Sequence, residues 1–271
     1  MSHIAITLKA GPELADVLVA QLSDAGFEGF EEQTDALVAY IPEGDFNEDI
    51  LREIVAPYGV GYTKETIQQE NWNAVWESNF QPVRVGDFCG IRAAFHAPFE
   101  PQPAHEIVIT PKMSFGTGHH ATTSSMIRLM QGLSFEGRRV FDFGTGTGIL
   151  AILAEMLGAA EVDAIDYDEW AVNNTLENLE ANHTQHVKVW QADTLKEISG
   201  KYDILLANIN LNVLLQFMGE MRRLLKPGGV LLLSGIMPAD EQQILAAAQP
   251  QGFEFQHKIE KDNWLAIQFG V

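Results

Sequence analysis

The 271-residue sequence predicts an α/β protein in which a small α+β domain precedes a doubly wound, mostly parallel sheet. Three observations carry that reading. Beyond residue 137, near-continuous apolar runs alternate with amphipathic segments, as strands do when helices cover both faces of their sheet. The first 68 residues alternate half-apolar runs with two helical stripes in the order βαββαβ. Glycines at 144, 146 and 148 follow the first of the later apolar runs, where a strand turns sharply into a helix.

The N-terminal elements follow in order. Residues 3–9 alternate apolar and polar as a half-buried strand does, and Pro12 opens a helix with Leu14, Val17, Leu18 and Leu22 on one stripe, closed by Gly26. Residues 27–32, 36–41 and 62–68 read as strands, and 45–56 as a helix with Phe46, Ile50, Leu51 and Ile54 inward. This order is that of a ferredoxin-like domain over 1–68. Residues 71–79, with Trp72 and Trp76 one helical turn apart, read as a connecting helix within a linker over 69–80.

The second domain, 81–271, is expected to place strands at 139–143, 161–166, 187–191, 203–207 and 230–234. Helices are expected at 149–157, 169–182, 212–225 and 239–248, with Pro227-Gly228-Gly229 turning the chain into the last of those strands. Residues 253–259 and 264–269 have no helix between them and are expected to form an antiparallel pair at one sheet edge. An earlier helix carries Met126, Leu129, Met130 and Leu133 on one face.

Composition narrows the function. A formal net charge of -20 excludes a broad basic face for nucleic acid. Twelve acidic residues against two basic ones from Met1 to Thr63 give the front of the chain half of that charge. Such a surface either attracts a basic partner or simply aids solubility. No membrane span and no signal peptide are legible, so the expected location is the cytoplasm. Cys89, the lone cysteine, forms no intrachain disulfide and reads as a core residue.

The chemistry concentrates in three segments. The first, from Val140 through Asp142, Gly144, Gly146 and Gly148, is a strand, a glycine turn and a helix start, which lets backbone approach a nucleotide-like ligand. Asp166, 22 residues after Gly144, ends the next strand, where its carboxylate can accept both hydroxyls of a ribose. A dinucleotide fingerprint requires glycine at 149, which is Ile149, so S-adenosylmethionine fits better than NAD. The second segment, Ala207-Asn208-Ile209-Asn210, ends the fourth strand. Asn208 is expected to orient the acceptor or the methionine end of the cofactor, the alternative being a helix cap, for which Asn210 is better placed. The third runs from Pro111 through Phe115, Gly116, Thr117, Gly118, His119 and His120 to Thr122 and Thr123, a glycine-rich loop suited to folding over a ligand. The adjacent histidines point apart and lack acidic or cysteine partners at ligand spacing, so no metal is expected.

With these segments in order, the chain resembles the PrmA family of ribosomal protein methyltransferases, which methylate amino groups of the eleventh large-subunit ribosomal protein. The family's F-G-T-G-T-H-P-T-T, D-x-G-x-G-S-G-I-L-A-I and N-I-L patterns correspond to 115–123, 142–152 and 208–210. The W-x-x-x-W and F-x-P-V-R-x-G of 72–86 and the Asn263-Trp264 pair resemble its linker and its closing E-W. The resemblance implies a Rossmann-like class I S-adenosylmethionine-dependent methyltransferase whose cofactor contacts fall on Thr123, Gly144, Asp166 and Asn208. Phe115, Asp142 and Gly146 stand in the same motifs. His119, Ala121 and the 210–212 stretch depart from the pattern, which bears on the acceptor more than on the cofactor.

The implied substrate is a basic ribosomal protein methylated on lysine side chains or its terminal amine. The competing readings are a methyltransferase for a small molecule or nucleobase amine, and a non-catalytic S-adenosylmethionine-binding regulator. The acidic front speaks against nucleic acid as a direct partner.

Overall fold

The computed structural model describes residues 2–33, 35–67, 80–111 and 118–271. The chain divides into two compact units, Met1–Trp76 and Glu77–Val271. The linker helix expected over 71–79 lies outside the described residues.

In the first unit, β1 (His3–Leu8), α1 (Pro12–Asp24), β2 (Gly29–Gln33), β3 (Ala36–Pro42), α2 (Glu48–Val55) and β4 (Tyr62–Ile67) follow in sequence. The strands form an antiparallel sheet in the order β2-β3-β1-β4. Its core joins Ile4, Ile6 and Leu8 to Leu18 and Leu22 of α1 and Leu51 and Val55 of α2. Two side chains expected inward are exposed, Val17 at 43% and Ile50 at 45%. Each sits one residue, about 100° of helix, from a fully buried leucine, Leu18 or Leu51, so the buried stripe excludes it. The start of α2 also falls three residues later than expected. Asn47 caps it, accepting hydrogen bonds from the Asp49 and Ile50 amides (2.9 and 3.4 Å), while Glu43–Asp45 forms a separate 3-10 turn.

The second unit opens with three short strands that periodicity did not reveal: β5 (Val83–Val85), β6 (Cys89–Ala93) and β7 (His105–Ile109). They form a sheet of order β5-β6-β7, the first pair antiparallel and the second parallel. Then come α3 (Ala121–Gln131), β8 (Arg139–Phe143), α4 (Ile149–Met156), β9 (Glu161–Asp166), α5 (Glu169–Ala181), β10 (Val187–Gln191), β11 (Tyr202–Asn208), α6 (Leu211–Leu224), β12 (Leu225–Ile236), α7 (Glu241–Ala248), β13 (Glu254–Lys261) and β14 (Trp264–Gly270). The main sheet runs β10-β9-β8-β11-β12-β14-β13, parallel through β12, with β14 antiparallel to both of its neighbours. Pro227-Gly228-Gly229, expected as a turn before its strand, lies inside β12, where the register against β11 shifts and Gly228 adopts φ 75°.

Strand alternation splits the core of this unit in two. Val140, Ala164 and Leu206 face a cluster with Met126, Ile152, Ile91 and Ile107, while Phe141, Ile165 and Leu205 face Leu214, Met221 and Ile244. Helices thus cover both faces. Strand order reverses between β8 and β11, which opens a crevice at the carboxyl ends of those strands. Cys89 is fully buried in the first cluster, and burial pushes its thiol up to about 12, as suits a core residue rather than a nucleophile.

Candidate functional site

The crevice is floored by the glycine turn. Gly144, Gly146 and Gly148 adopt φ of 78°, 59° and 81°, a left-handed region costly for other residues. At Gly144 space compounds the conformational demand, because a Cβ there would lie 2.3 Å from Ile209 Cγ2. The turn is tied to β9, with the Gly144 and Thr145 amides donating to the Ile165 carbonyl at 2.9 and 3.0 Å. Gly148 then precedes α4 with no side-chain cap.

Two carboxylates stand beside this turn. Asp166 Oδ2 accepts from the Gly146 amide (2.9 Å) and Oδ1 from the Asp168 amide (3.1 Å), so loop backbone holds the carboxylate in place. Asp142 Oδ2 accepts from the Thr145 hydroxyl at 2.7 Å. Burial pushes the Asp142 carboxyl up to about 7 against the pull of that hydroxyl, and the neighbouring Asp166 charge adds to the rise. Among the described residues, neither aspartate has a Lys or Arg ion-pair partner.

The far wall comes from β11 and α3. Asn208, the last residue of β11, donates from Nδ2 to Thr123 Oγ1 at 3.4 Å, across 85 residues of sequence. Among the described residues no donor reaches its Oδ1. Asn210 is the residue that caps α6, accepting from the Val213 amide at 3.2 Å. At the start of α3, His120 Nδ1 lies 2.8 Å from Thr122 Oγ1, and its ring packs edge-on against Trp264 at 4.6 Å. The His119 ring packs on Phe80 at 4.7 Å, so the two imidazoles part ways. Lys261, beside the β13–β14 turn, donates to Ser124 Oγ at 3.0 Å.

The expected residues fall into two groups in space. Asp142, Gly144, Gly146 and Asp166 share one hydrogen-bonded turn, and Asn208 pairs with Thr123, with Ile209 next to Asn208 packed over Gly144. Phe115 and the Gly116-Thr117 stretch lie outside the described residues. Sequence reasoning missed several supports. Thr145 holds Asp142, and Thr175 Oγ1 donates to the Gly146 carbonyl at 2.8 Å. Gly235, at φ 90°, is needed because a Cβ there would lie 2.1 Å from the Ile209 carbonyl oxygen. Its signal was the small Ser234-Gly235 pair near the end of an apolar strand.

A glycine turn whose neighbouring strand ends in an anchored carboxylate suits a ribose-bearing ligand, and an amide oxygen beside it suits an N–H donor. Comparison with known proteins agrees with that chemistry. Residues 17–270 match the family described as ribosomal protein L11 methyltransferase (PrmA). A protein of that name from Phocaeicola vulgatus is 39% identical over 99% of both chains. One from Bacteroides fragilis is 41% identical over 94% of this chain and 93% of its own. The crystal structure of ribosomal protein L11 methylase from Lactobacillus delbrueckii subsp. bulgaricus superposes with a TM-score of 0.65 and 25% identity, covering 70% of this chain and 98% of that one.

Proposed function

Since the chain belongs to the ribosomal protein L11 methyltransferase (PrmA) family and is therefore a methyltransferase, we propose that it transfers methyl groups from S-adenosylmethionine to amino groups of ribosomal protein L11. The cofactor would supply an activated methyl group on a sulfonium. The residues present fit such a group. Asp166, fixed by two backbone amides, keeps lone pairs for ribose hydroxyls, and the bare backbone of Gly144 and Gly146 leaves room for close approach.

The observation that carries the reading is the Asn208–Thr123 pair at the carboxyl end of β11, beside the glycine turn. With Nδ2 committed to Thr123, the Asn208 Oδ1 accepts an N–H from the incoming amine and aims its lone pair. In-line displacement at a methyl group depends chiefly on that alignment. A lysine amine, with a free pKa of about 10.4, reaches the site protonated and must shed a proton before attack, whereas a terminal amine near 8 is already partly neutral. Either amine meets the same Asn208 acceptor.

The N-terminal unit recognises the substrate in this reading. Its strand order β2-β3-β1-β4 supports a ferredoxin-like domain over 1–68, and its acidity supports a basic partner rather than nucleic acid. No helix among the described residues is long and apolar enough to cross a membrane.

The test pairs purified protein with labelled S-adenosylmethionine and ribosomal protein L11. Labelled L11 from the wild type, with turnover about 100-fold lower in Asn208→Ala at nearly unchanged cofactor affinity, is the expected result. Full turnover by Asn208→Ala would remove its aligning role. Cofactor binding with label on another acceptor and none on L11 would overturn the substrate assignment.

A further inference from the structure

Helix α5 carries Asn174 and Asn178, and Asn182 caps its C-terminus, the three spaced one turn apart. This row meets the outer edge of β7, the edge opposite β6. Asn182 treats Val108 as a neighbouring strand would, accepting from its amide (2.8 Å) and donating to its carbonyl (2.6 Å). Asn178 Oδ1 accepts from the Thr110 amide at 2.7 Å, and Asn174 Nδ2 donates to the Thr110 carbonyl at 3.1 Å. Side-chain amides thus complete an edge that backbone leaves open.

Asn178 does one thing more. Its Nδ2 donates to the Thr147 carbonyl at 2.8 Å, inside the glycine turn. Its bond to the cofactor turn is buried and its bond to Thr110, just past β7, is partly buried. Among the described residues, Thr175, on the same helix, holds only the turn, and Asn182 only β7 and its own helix.

We propose that Asn178 is a positioning residue for the cofactor, its amide locking the glycine turn to Thr110 at the end of β7 so that the two segments hold one relative geometry. The inference rests on the reading of that turn as the cofactor site. An amide is required because the two partners have opposite polarity, an N–H on one side and a carbonyl on the other. The carboxylate of an Asn178→Asp variant still accepts from Thr110 but turns an acceptor oxygen toward the Thr147 carbonyl.

The test uses the full chain and S-adenosylhomocysteine as calorimetric probe, with Asn178→Asp compared against Asn182→Ala. Asn178→Asp is expected to raise the probe's Kd and the cofactor's KM about tenfold while leaving kcat at saturating cofactor near wild type. Asn182→Ala should lower the melting temperature yet keep Kd within about twofold. Should Asn178→Asp fail to fold, the wild type serves. Binding of the probe must slow hydrogen exchange at the Thr110 amide by about tenfold or more, and much less at the Val108 amide, because coupling is reciprocal. Equal affinity of Asn178→Asp and wild type, equal weakening by Asn182→Ala, or unchanged Thr110 exchange would each overturn the inference. A wild type that binds no probe would overturn the underlying cofactor reading instead.

Discussion

The two ends of the main sheet are built on opposite electrostatic rules. At the amino ends of β8 to β11 nearly every charge is matched. Arg139 pairs with Glu161 (2.8 Å) and approaches Asp163 (3.6 Å), Lys188 also reaches Glu161 (3.3 Å), and Asp203 gathers Lys226 (2.8 Å) and Arg138 (3.4 Å). Asp163 takes a further hydrogen bond from the buried Tyr202 hydroxyl at 2.7 Å. At the carboxyl ends of the same strands Asp142 and Asp166 face each other with only hydroxyl and amide donors around them. One end has its charges matched. The other keeps uncommitted acceptors and left-handed glycines, features that cost stability and are offset only when a ligand completes them.

Substitution at the carboxyl end should therefore show first as lost cofactor binding. Gly144→Val would force a β-branched side chain into φ 78° and against Ile209. Loss of S-adenosylhomocysteine binding by more than about 100-fold is expected, since strain and displacement of the 208–210 segment act together. Calorimetry checks the affinity and circular dichroism the fold. Tight binding by this variant would end the assignment of the glycine turn as the cofactor floor.

The contrast also predicts a pH response at the carboxyl end. Asp142, near 3.8 when unfolded, titrates at about 7 in the fold, so the native state holds a proton that the unfolded chain releases between those values. Its contribution to stability therefore falls as pH rises from about 4 to about 7. An Asp142→Asn variant, with no proton to release, has no such loss. Its stability relative to wild type should grow with pH through that window, by up to roughly 1.4 kcal/mol per unit, and level off above it. Urea unfolding of the cofactor-free protein at pH 5, 6, 7 and 8 measures the difference. Parallel curves would mean that Asp142 is not held protonated.

At the amino end the expected loss is structural. Asp203 accepts from the Arg139 amide (2.9 Å) as well as from two cations, so Asp203→Ala should cost about 1–3 kcal/mol in unfolding free energy and leave KM and kcat within twofold at saturation. A large fall in kcat without loss of stability would erase the division between the ends.

How much of this was legible varies along the chain for physical reasons. The strands at 139–143, 161–166 and 187–191 match their expected bounds because each is a short run with alternate apolar positions, set between helices and turns that leave it little room to shift. The residues of the turn, Asp166 and the Asn208 end of β11 were readable because their spacing follows strand and helix lengths. The Asn208–Thr123 bond was not, since no local rule links residues 85 apart. The strands β5, β6 and β7 escaped because they are three to five residues long, carry Arg84, Gly90 and His105 among their apolar positions, and are paired through tertiary contacts. β7 is completed by Asn178 and Asn182, whose spacing reads in sequence as an ordinary polar helix face.

The smallest effect sharpens the comparison most, because it separates charge matching from stability. Lys188 reaches Glu161 at 3.3 Å, yet its side chain is 72% exposed while Arg139, the other partner of Glu161, is half as exposed and lies over the Tyr202 ring at 5.1 Å. An exposed pair is screened and loses side-chain entropy, so Lys188→Ala should change stability by about 0–0.5 kcal/mol, whereas Arg139→Ala, which strips contacts from Glu161, Asp163 and Tyr202 together, should cost several times more. A double-mutant cycle with Glu161→Gln, read by urea unfolding in low and high salt, distinguishes the two. Coupling confined to Arg139 and little changed by salt would place the strength of the amino end in its buried aromatic and carboxylate contacts; equal, salt-sensitive coupling at Lys188 would place it in surface charge.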